Sequence, residues 1–132
     1  MGSLYCQPTD LPQGLNSVAL STIPLTDQAA ACTTASSMLD NFFRGRWPLP
    51  LLSWGPDVTI RAVHIAVKLA LDARGSSLLA HGDDSIERNY EAAVAWGVRV
   101  QKGTEHPDVT YSQPATQFVI PRVSSPNKVR GW

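Results

Sequence analysis

The fold is decided by residues 56–74, PDVTIRAVHIAVKLALDAR. The polar residues of this stretch fall three or four positions apart and form one narrow stripe on a helix, while apolar residues fill the rest of its circumference. The stripe consists of Arg61, His64, Lys68 and Asp72. Because a helix that is apolar over most of its surface must be covered by its neighbours, we predict a central helix from Asp57 to about Arg74.

A second long helix is predicted upstream, beginning at Thr26 or Asp27 and ending near Arg44, where Gly45 stops it. Apolar residues four, seven and eleven positions apart define its expected buried face, which consists of Ala31, Ala35, Met38 and Phe42. The residues expected near the opposite face are Asp40, Asn41 and Arg44. This helix is rich in Ala, Ser and Thr, which lets another backbone approach closely.

A last helix is predicted to begin at Asp83, Asp84 or Ser85 and to continue to about Lys102, with Gly103 as its stop. Its expected buried face consists of Ile86, Tyr90, Ala93, Val94, Gly97 and Val100.

The N-terminal region has weaker signals. Thr9 or Asp10 is predicted to cap a short helix from Leu11 to Leu15, and residues 18–23 fit either a short turn or an extended piece.

Two segments cannot form regular helices. Residues 45–56, GRWPLPLLSWGP, contain three prolines and two glycines yet are strongly apolar, so we expect them to pack along the helical core and to offer a subunit contact. Residues 104–132 contain four further prolines and β-like apolar clusters. The prediction is therefore an all-α protein, a small helical bundle over residues 1–103 with an extended C-terminal arm over 104–132 in which short β-strands are allowed.

Composition narrows the function classes. The chain has 132 residues, enough for one domain, and its 11 Lys and Arg balance its 11 Asp and Glu. Zero net charge argues against binding nucleic acid through bulk charge, although a local patch is left open. The sequence shows neither a signal peptide nor an apolar stretch long enough for a membrane helix, so we expect synthesis in the cytoplasm and no membrane partner. Cys6 and Cys32 are interpreted as reduced, buried residues.

The sequence lacks the common nucleophile, phosphate-binding and dinucleotide motifs. Its three histidines, at positions 64, 81 and 106, have no second metal ligand at helical spacing. We therefore predict a protein that is not an enzyme and that holds no cofactor or metal.

Several short motifs resemble those of one family. They are Tyr5 followed by Pro8-Thr9-Asp10-Leu11, Asp40 just ahead of Phe42-Phe43, the run GRWPLPL at 45–51, and Glu87-Arg88-Asn89-Tyr90 at the start of the last helix. Over roughly residues 4–103 the chain resembles the Mu-like family of tailed-phage head–tail connector proteins. The family pattern does not account for Trp54-Gly55 or for the long apolar tail.

The resemblance implies a structural adaptor. Such proteins form a ring, commonly twelve-fold, beneath the portal of a filled capsid, extend the DNA channel and present a surface to the next neck or tail protein, such as a stopper. The expected location is the virion neck, after assembly in the host cytoplasm. Genomic DNA would pass through the lumen without sequence-specific binding.

The residues suit this role, because a ring subunit needs two different side faces. The candidate subunit-interface residues are Arg46, Trp47, Pro48, Leu49, Pro50, Leu51 and Trp54, and the small-residue face of the second helix offers the other side. The candidate portal-docking residues are Phe118, Val119, Ile120, Arg122, Lys128, Arg130 and Trp132. The candidate channel-facing residues are Arg61, His64 and Lys68. The alternatives are another neck protein, a stopper or tail terminator expected to be β-rich, and a small helical DNA-binding regulator.

Overall fold

The computed structural model of the protein describes residues 3–73 and 85–112. The described elements, in chain order, are a 3₁₀ helix (Pro8–Gln13), α1 (Ser17–Leu20), α2 (Leu25–Phe43), β1 (Ser53–Trp54), α3 (Pro56–Ala73), α4 (Ser85–Lys102) and β2 (Val109–Thr110). The described part of the chain is mostly helical with a two-stranded sheet, which confirms the predicted class. None of the helices in this part is long and apolar enough to cross a membrane.

Helix α3 is the centre of the bundle, as predicted. It packs against α2 on one side and α4 on another, and the 3₁₀ helix also contacts it. Its buried residues occupy most of its circumference: Val58, Ala62, Val63, Ile65, Ala66, Val67, Ala70 and Leu71. Burial of this many aliphatic side chains is the main contribution to the stability of the fold.

Helix α2 begins earlier than expected and turns a different face to the core. Pro24, not Thr26 or Asp27, precedes its first residue, and the side-chain Nε2 of Gln28 donates a hydrogen bond to the Ile23 carbonyl (2.9 Å). Its buried face consists of Gln28, Ala31, Cys32, Ala35, Ser36, Leu39, Asp40 and Phe43. Asp40, expected near the solvated face, is instead buried. The Tyr5 hydroxyl donates a hydrogen bond to its carboxylate, which offsets the cost of removing that group from water.

The N-terminal region is helical in two short pieces. The 3₁₀ helix begins at Pro8 and ends at Gln13, earlier than the predicted Leu11–Leu15 helix. Of residues 18–23, the first three belong to α1, which Asn16 caps by accepting a hydrogen bond from the Ala19 amide (2.8 Å).

Helix α4 matches its predicted bounds at both ends of the described range. Ser85 begins it and Gly103, with φ of 88°, ends it in the left-handed conformation that favours glycine. Trp96 is buried in addition to the residues expected, while Tyr90 and Val94 are only half-buried. Gly97 permits a close approach, since a Cβ there would overlap the ring of Phe42.

The first residues of the predicted arm are part of the folded unit. Strand β2 pairs antiparallel with β1, Ser53 opposite Thr110 and Trp54 opposite Val109, which confirms that the arm contains a short strand. Val109 and Tyr111 pack against the core. The boundary predicted after residue 103 therefore falls inside this packed region, and a truncation that spares the fold must keep residues 104–112.

Candidate functional site

The side chain of Arg46, a candidate interface residue, lies against the end of α4. Its Nη1 donates hydrogen bonds to the carbonyls of Val100 (3.0 Å) and Glu105 (2.9 Å), and its guanidinium lies 4.5 Å from the centre of the Trp47 ring. The last carbonyls of a helix lack partners within the helix and carry its negative dipole end. The Val100 carbonyl also accepts from the Gly103 amide (3.0 Å), so Arg46, 54 positions away in sequence, adds a second, charged donor at the end of α4.

The apolar residues of the same loop pack within the subunit. The ring of Trp47 contacts Phe43 edge-on, with centroids 5.7 Å apart, and lies 6.2 Å from Tyr111. The ring of Trp54 packs edge-on against Tyr5 at 4.7 Å. Leu51 is buried. Four of the seven candidate interface residues are therefore wholly or partly used in the subunit's own core: Trp47, Leu49, Leu51 and Trp54.

A smaller apolar surface remains on this loop. Pro50 is exposed, Pro48 and Leu49 are half-buried, and Leu52 exposes 64% of its surface. Leu52, which we did not predict as a site residue, lies next to the β1–β2 pair and its amide donates to the Thr110 carbonyl (2.7 Å). The sequence offered no signal for this, because Leu51 and Leu52 are identical residues and only the structure shows that the first is buried and the second exposed.

The second candidate side face lies on α2. Small side chains are exposed along it at Ala29, Ala30, Thr33, Thr34 and Ser37. An open groove of about 220 Å³ separates this face from α3, and its lining consists of Asp27, Ala30, Ala31, Thr34, Leu69, Ala70 and Ala73. The absence of bulky side chains leaves room for a neighbouring backbone to approach.

The candidate channel-facing stripe is half-buried, which corrects the expectation that it is freely exposed. Helix α4 packs beside it and engages two of its three residues. The Arg61 guanidinium lies 5.8 Å from the centre of the Trp96 ring. Lys68 pairs with Glu87 of α4 (3.0 Å) and with Asp72 (3.1 Å), and the hydrogen bonds that Lys68 donates to these carboxylates, first the one to Glu87, raise the pKa of Lys68.

His64 lies between Arg61 and Lys68 in the sequence, but its side chain lacks the kind of partner that these two have. Its Nδ1 atom is buried and has no hydrogen-bond partner among the described residues. Burial and then the charge of Arg61 lower the pKa of His64, so the imidazole is held neutral at pH 7.

The N-terminal segment forms a contact that sequence reasoning did not find. The Tyr5 amide donates to the Ser36 hydroxyl (2.8 Å), and the Tyr5 hydroxyl donates to Asp40 one turn further along α2. Cys6, next to Tyr5, and Cys32, one turn before Ser36, are both buried. The helical spacing of residues 36 and 40 was visible in the sequence, but their shared partner Tyr5, 31 or more positions away, was not.

Within residues 3–73 and 85–112, no three His, Cys, Asp or Glu side chains are grouped so as to hold a metal ion. The candidate portal-docking residues, from Phe118 to Trp132, lie outside the described residues. The amino-acid sequence matches no protein-family model and no curated protein.

Proposed function

We propose that this protein is a structural head–tail adaptor of a tailed phage. Its subunits form a ring, twelve-fold in the commonest arrangement of the family it resembles, beneath the portal protein. The ring extends the DNA channel, joins the capsid to the next neck or tail protein, such as a stopper, and resides in the virion after assembly in the host cytoplasm. In this role the protein performs no catalysis and needs no cofactor.

The observation that carries the proposal is the set of contacts made by the loop at residues 45–52. Its motif GRWPLPL resembles the family's most recognisable run, and the structure accounts for those residue types. Arg46 donates a hydrogen bond to a carbonyl at the end of α4. Trp47 packs between Phe43 and Tyr111, and Tyr111 is one of the first residues of the C-terminal arm. A loop that joins the bundle to the arm in this way suits a subunit that must hold an extended segment in a defined direction.

The described surface supports ring contacts between unlike faces. One face is the small-residue side of α2, and the other is the exposed part of the loop around Pro50 and Leu52. Contacts in a ring are heterologous, so two different faces must meet. Ala30→Arg places a long charged side chain in the groove between α2 and α3. Ala92→Arg, the matched control, places the same side chain on the exposed side of α4. We expect Ala30→Arg to abolish ring formation and Ala92→Arg to leave it unchanged.

The charges of the described residues give less support to a DNA-binding regulator. Arg46, Arg61 and Lys68 are engaged by carbonyls, an aromatic ring and carboxylates of the same chain. Such a regulator would need a helix face with free cations near the phosphates. The mostly helical fold likewise departs from the β-rich architecture expected of a stopper or tail terminator.

The proposal is tested by mixing the purified chain with the portal protein encoded in the same genome, then measuring the mass of the complex and imaging it by negative-stain microscopy. The expected result is a ring added to one end of the portal. A chain ending at Ser112 keeps every described contact, so it should fold normally and lose portal binding. A folded full-length chain that does not associate, but binds duplex DNA in a salt-sensitive way, would overturn the adaptor proposal in favour of the regulator.

A further inference from the structure

The groove between α2 and α3 is an open apolar surface in the described part of the chain. Four alanines and the half-buried Leu69 form most of its lining. Asp27 lines the end of the groove that is nearest the start of α2, and its carboxylate is exposed, with no hydrogen bond or ion pair to any described side chain. An apolar groove with an unpaired carboxylate at one end suits an apolar segment that carries a positive charge at the matching end.

An exposed stripe of short side chains leads along α2 to this groove. Its members lie three or four positions apart and so share one face of the helix: Asn41, Ser37, Thr34 and Ala30. The last described residues of the chain lie near the same end of α2 as Asn41, because Tyr111 lies against Trp47 and Trp47 packs against Phe43, the final residue of the helix. The residues that follow Ser112 therefore begin at the end of α2 from which the stripe leads to the groove.

The distance to the groove agrees with the position of an apolar cluster in the sequence. At the rise of an α-helix, Thr34 and Asp27 lie about 14 and 24 Å from the last residue of α2. An extended chain advances about 3 Å per residue, so the segment from Tyr111 to Phe118 spans about 21 Å and the segment to Arg122 about 33 Å. Phe118 can thus reach the level of Thr34 and Arg122 the level of Asp27, with length left for the path around the helix.

The order of side chains in this segment matches the order of groups in the groove. Alternate residues of an extended segment share a side, which puts Phe118, Ile120 and Arg122 together. Two large apolar residues followed by a cation correspond to the alanine lining followed by Asp27. Residues 113–132 contain basic residues and no Asp or Glu. Because an exposed ion pair contributes little free energy, the apolar side chains supply most of the binding and the charge pair fixes the direction of the segment.

We propose that the groove between α2 and α3 binds residues 118–122 of the same chain, with Phe118 and Ile120 against the alanines and Arg122 paired with Asp27. These residues are also candidate portal-docking residues, so the groove and the portal compete for one segment. This consequence rests on the adaptor proposal: in the free subunit the segment covers the small-residue face of α2 that the ring needs, and the portal uncovers that face by binding the segment. Ring formation is thereby confined to the portal.

The test measures where the segment lies in the isolated full-length chain. Val119→Cys carries a nitroxide spin label on the side opposite Phe118 and Ile120, and the native Cys6 and Cys32, each 1% exposed, are protected from labelling by their burial. The mass of the product confirms a single label. Alanine methyl groups are isotopically labelled in the same chain, and their NMR signals are recorded after dilution into an excess of protein that carries neither label. A contact within one chain survives this dilution, whereas a contact between chains is lost.

The expected result is a difference between two sets of alanines in one sample. The methyl signals of the four groove alanines should be broadened several-fold more than those of Ala92 and Ala95, which are exposed on α4 and serve as matched controls. Equal broadening of the two sets, or broadening of the groove signals that disappears on dilution, would overturn the proposal.

Three substitutions in the labelled chain test the assigned contacts. Phe118→Ser should abolish the broadening at the groove. Arg122→Glu should weaken it by placing a second negative charge near Asp27, and Asp27→Lys combined with Arg122→Glu should restore it. Lys102→Glu, an equal charge reversal at an exposed position on α4, should leave it unchanged. Broadening that persists in Phe118→Ser, or a double variant no better than Arg122→Glu alone, would refute the assigned contacts.

The measurement uses the isolated chain, so its result does not depend on the portal experiment. A chain with an empty groove that still forms a ring on the portal would remove this inference and leave the adaptor proposal standing. A chain with a docked segment that does not associate with the portal would do the reverse.

Discussion

Replacement of Arg46 by methionine distinguishes a residue that stabilises the subunit from one that binds a neighbouring subunit. Methionine keeps an unbranched apolar stem beside Trp47 but removes the donors to the Val100 and Glu105 carbonyls. A hydrogen bond from a charged donor contributes about 1.5–3 kcal/mol, and both of these are only partly buried, so we expect a loss of about 2–3 kcal/mol in the free energy of unfolding. Arg46→Lys, with one compact ammonium, should lose about half as much.

The assay is urea unfolding of the isolated chain, followed by far-ultraviolet circular dichroism and by tryptophan fluorescence. Arg88→Met is the matched control, because Arg88 is exposed on α4 and its replacement should change stability by less than about 0.5 kcal/mol. Unchanged stability of Arg46→Met, together with loss of ring formation, would refute the intramolecular role derived for Arg46.

Two further predictions concern packing and pH. Gly97→Ala should destabilise the protein by about 1–3 kcal/mol despite the higher helix propensity of alanine, because the new methyl group overlaps the Phe42 ring, whereas Gly45→Ala, with open space around its Cβ, should be close to neutral in the same thermal unfolding assay. His64 has its pKa lowered from 6.5 by burial and by Arg61, so the unfolded state binds the proton more readily than the folded state. Stability should be fully present above pH 6.5 and fall as the pH drops through the folded pKa of His64, and His64→Asn should flatten that fall; an equal fall in both proteins would contradict the assignment.

The sequence alone was enough to predict the helices that have a strong hydrophobic periodicity. The narrow polar stripe of α3 left a single way to bury its apolar residues, and Gly103 marked the end of α4 because only glycine takes its positive φ without strain. The face of α2 was harder to predict. Its many small residues give a weak apolar signal, so a buried Asp40 and half-buried Met38 could not be told from the reverse arrangement.

The roles of most candidate site residues depend on long-range contacts, which the helical periodicity of a sequence does not predict. The roles of Trp47 and Trp54 follow from rings 64 and 49 positions away in the chain, those of Tyr111 and Tyr5. An apolar loop has the same composition whether it covers its own core or a neighbouring subunit. The exposed remainder at Pro50 and Leu52 emerged only after the intramolecular contacts were known.

By itself, the sequence determined the helical class, the central position of α3 and the approximate helix ends, because helix period, capping residues and glycine stops act within a few neighbouring residues. Only the tertiary structure decided that β2 returns to β1, that Arg46 contacts the end of α4, and that Tyr5 meets Ser36 and Asp40. Each of these joins residues at least 31 positions apart. Which distant groups meet is chosen by the packing of the whole core, in which most buried polar groups find a partner, and no local pattern of residues encodes that choice.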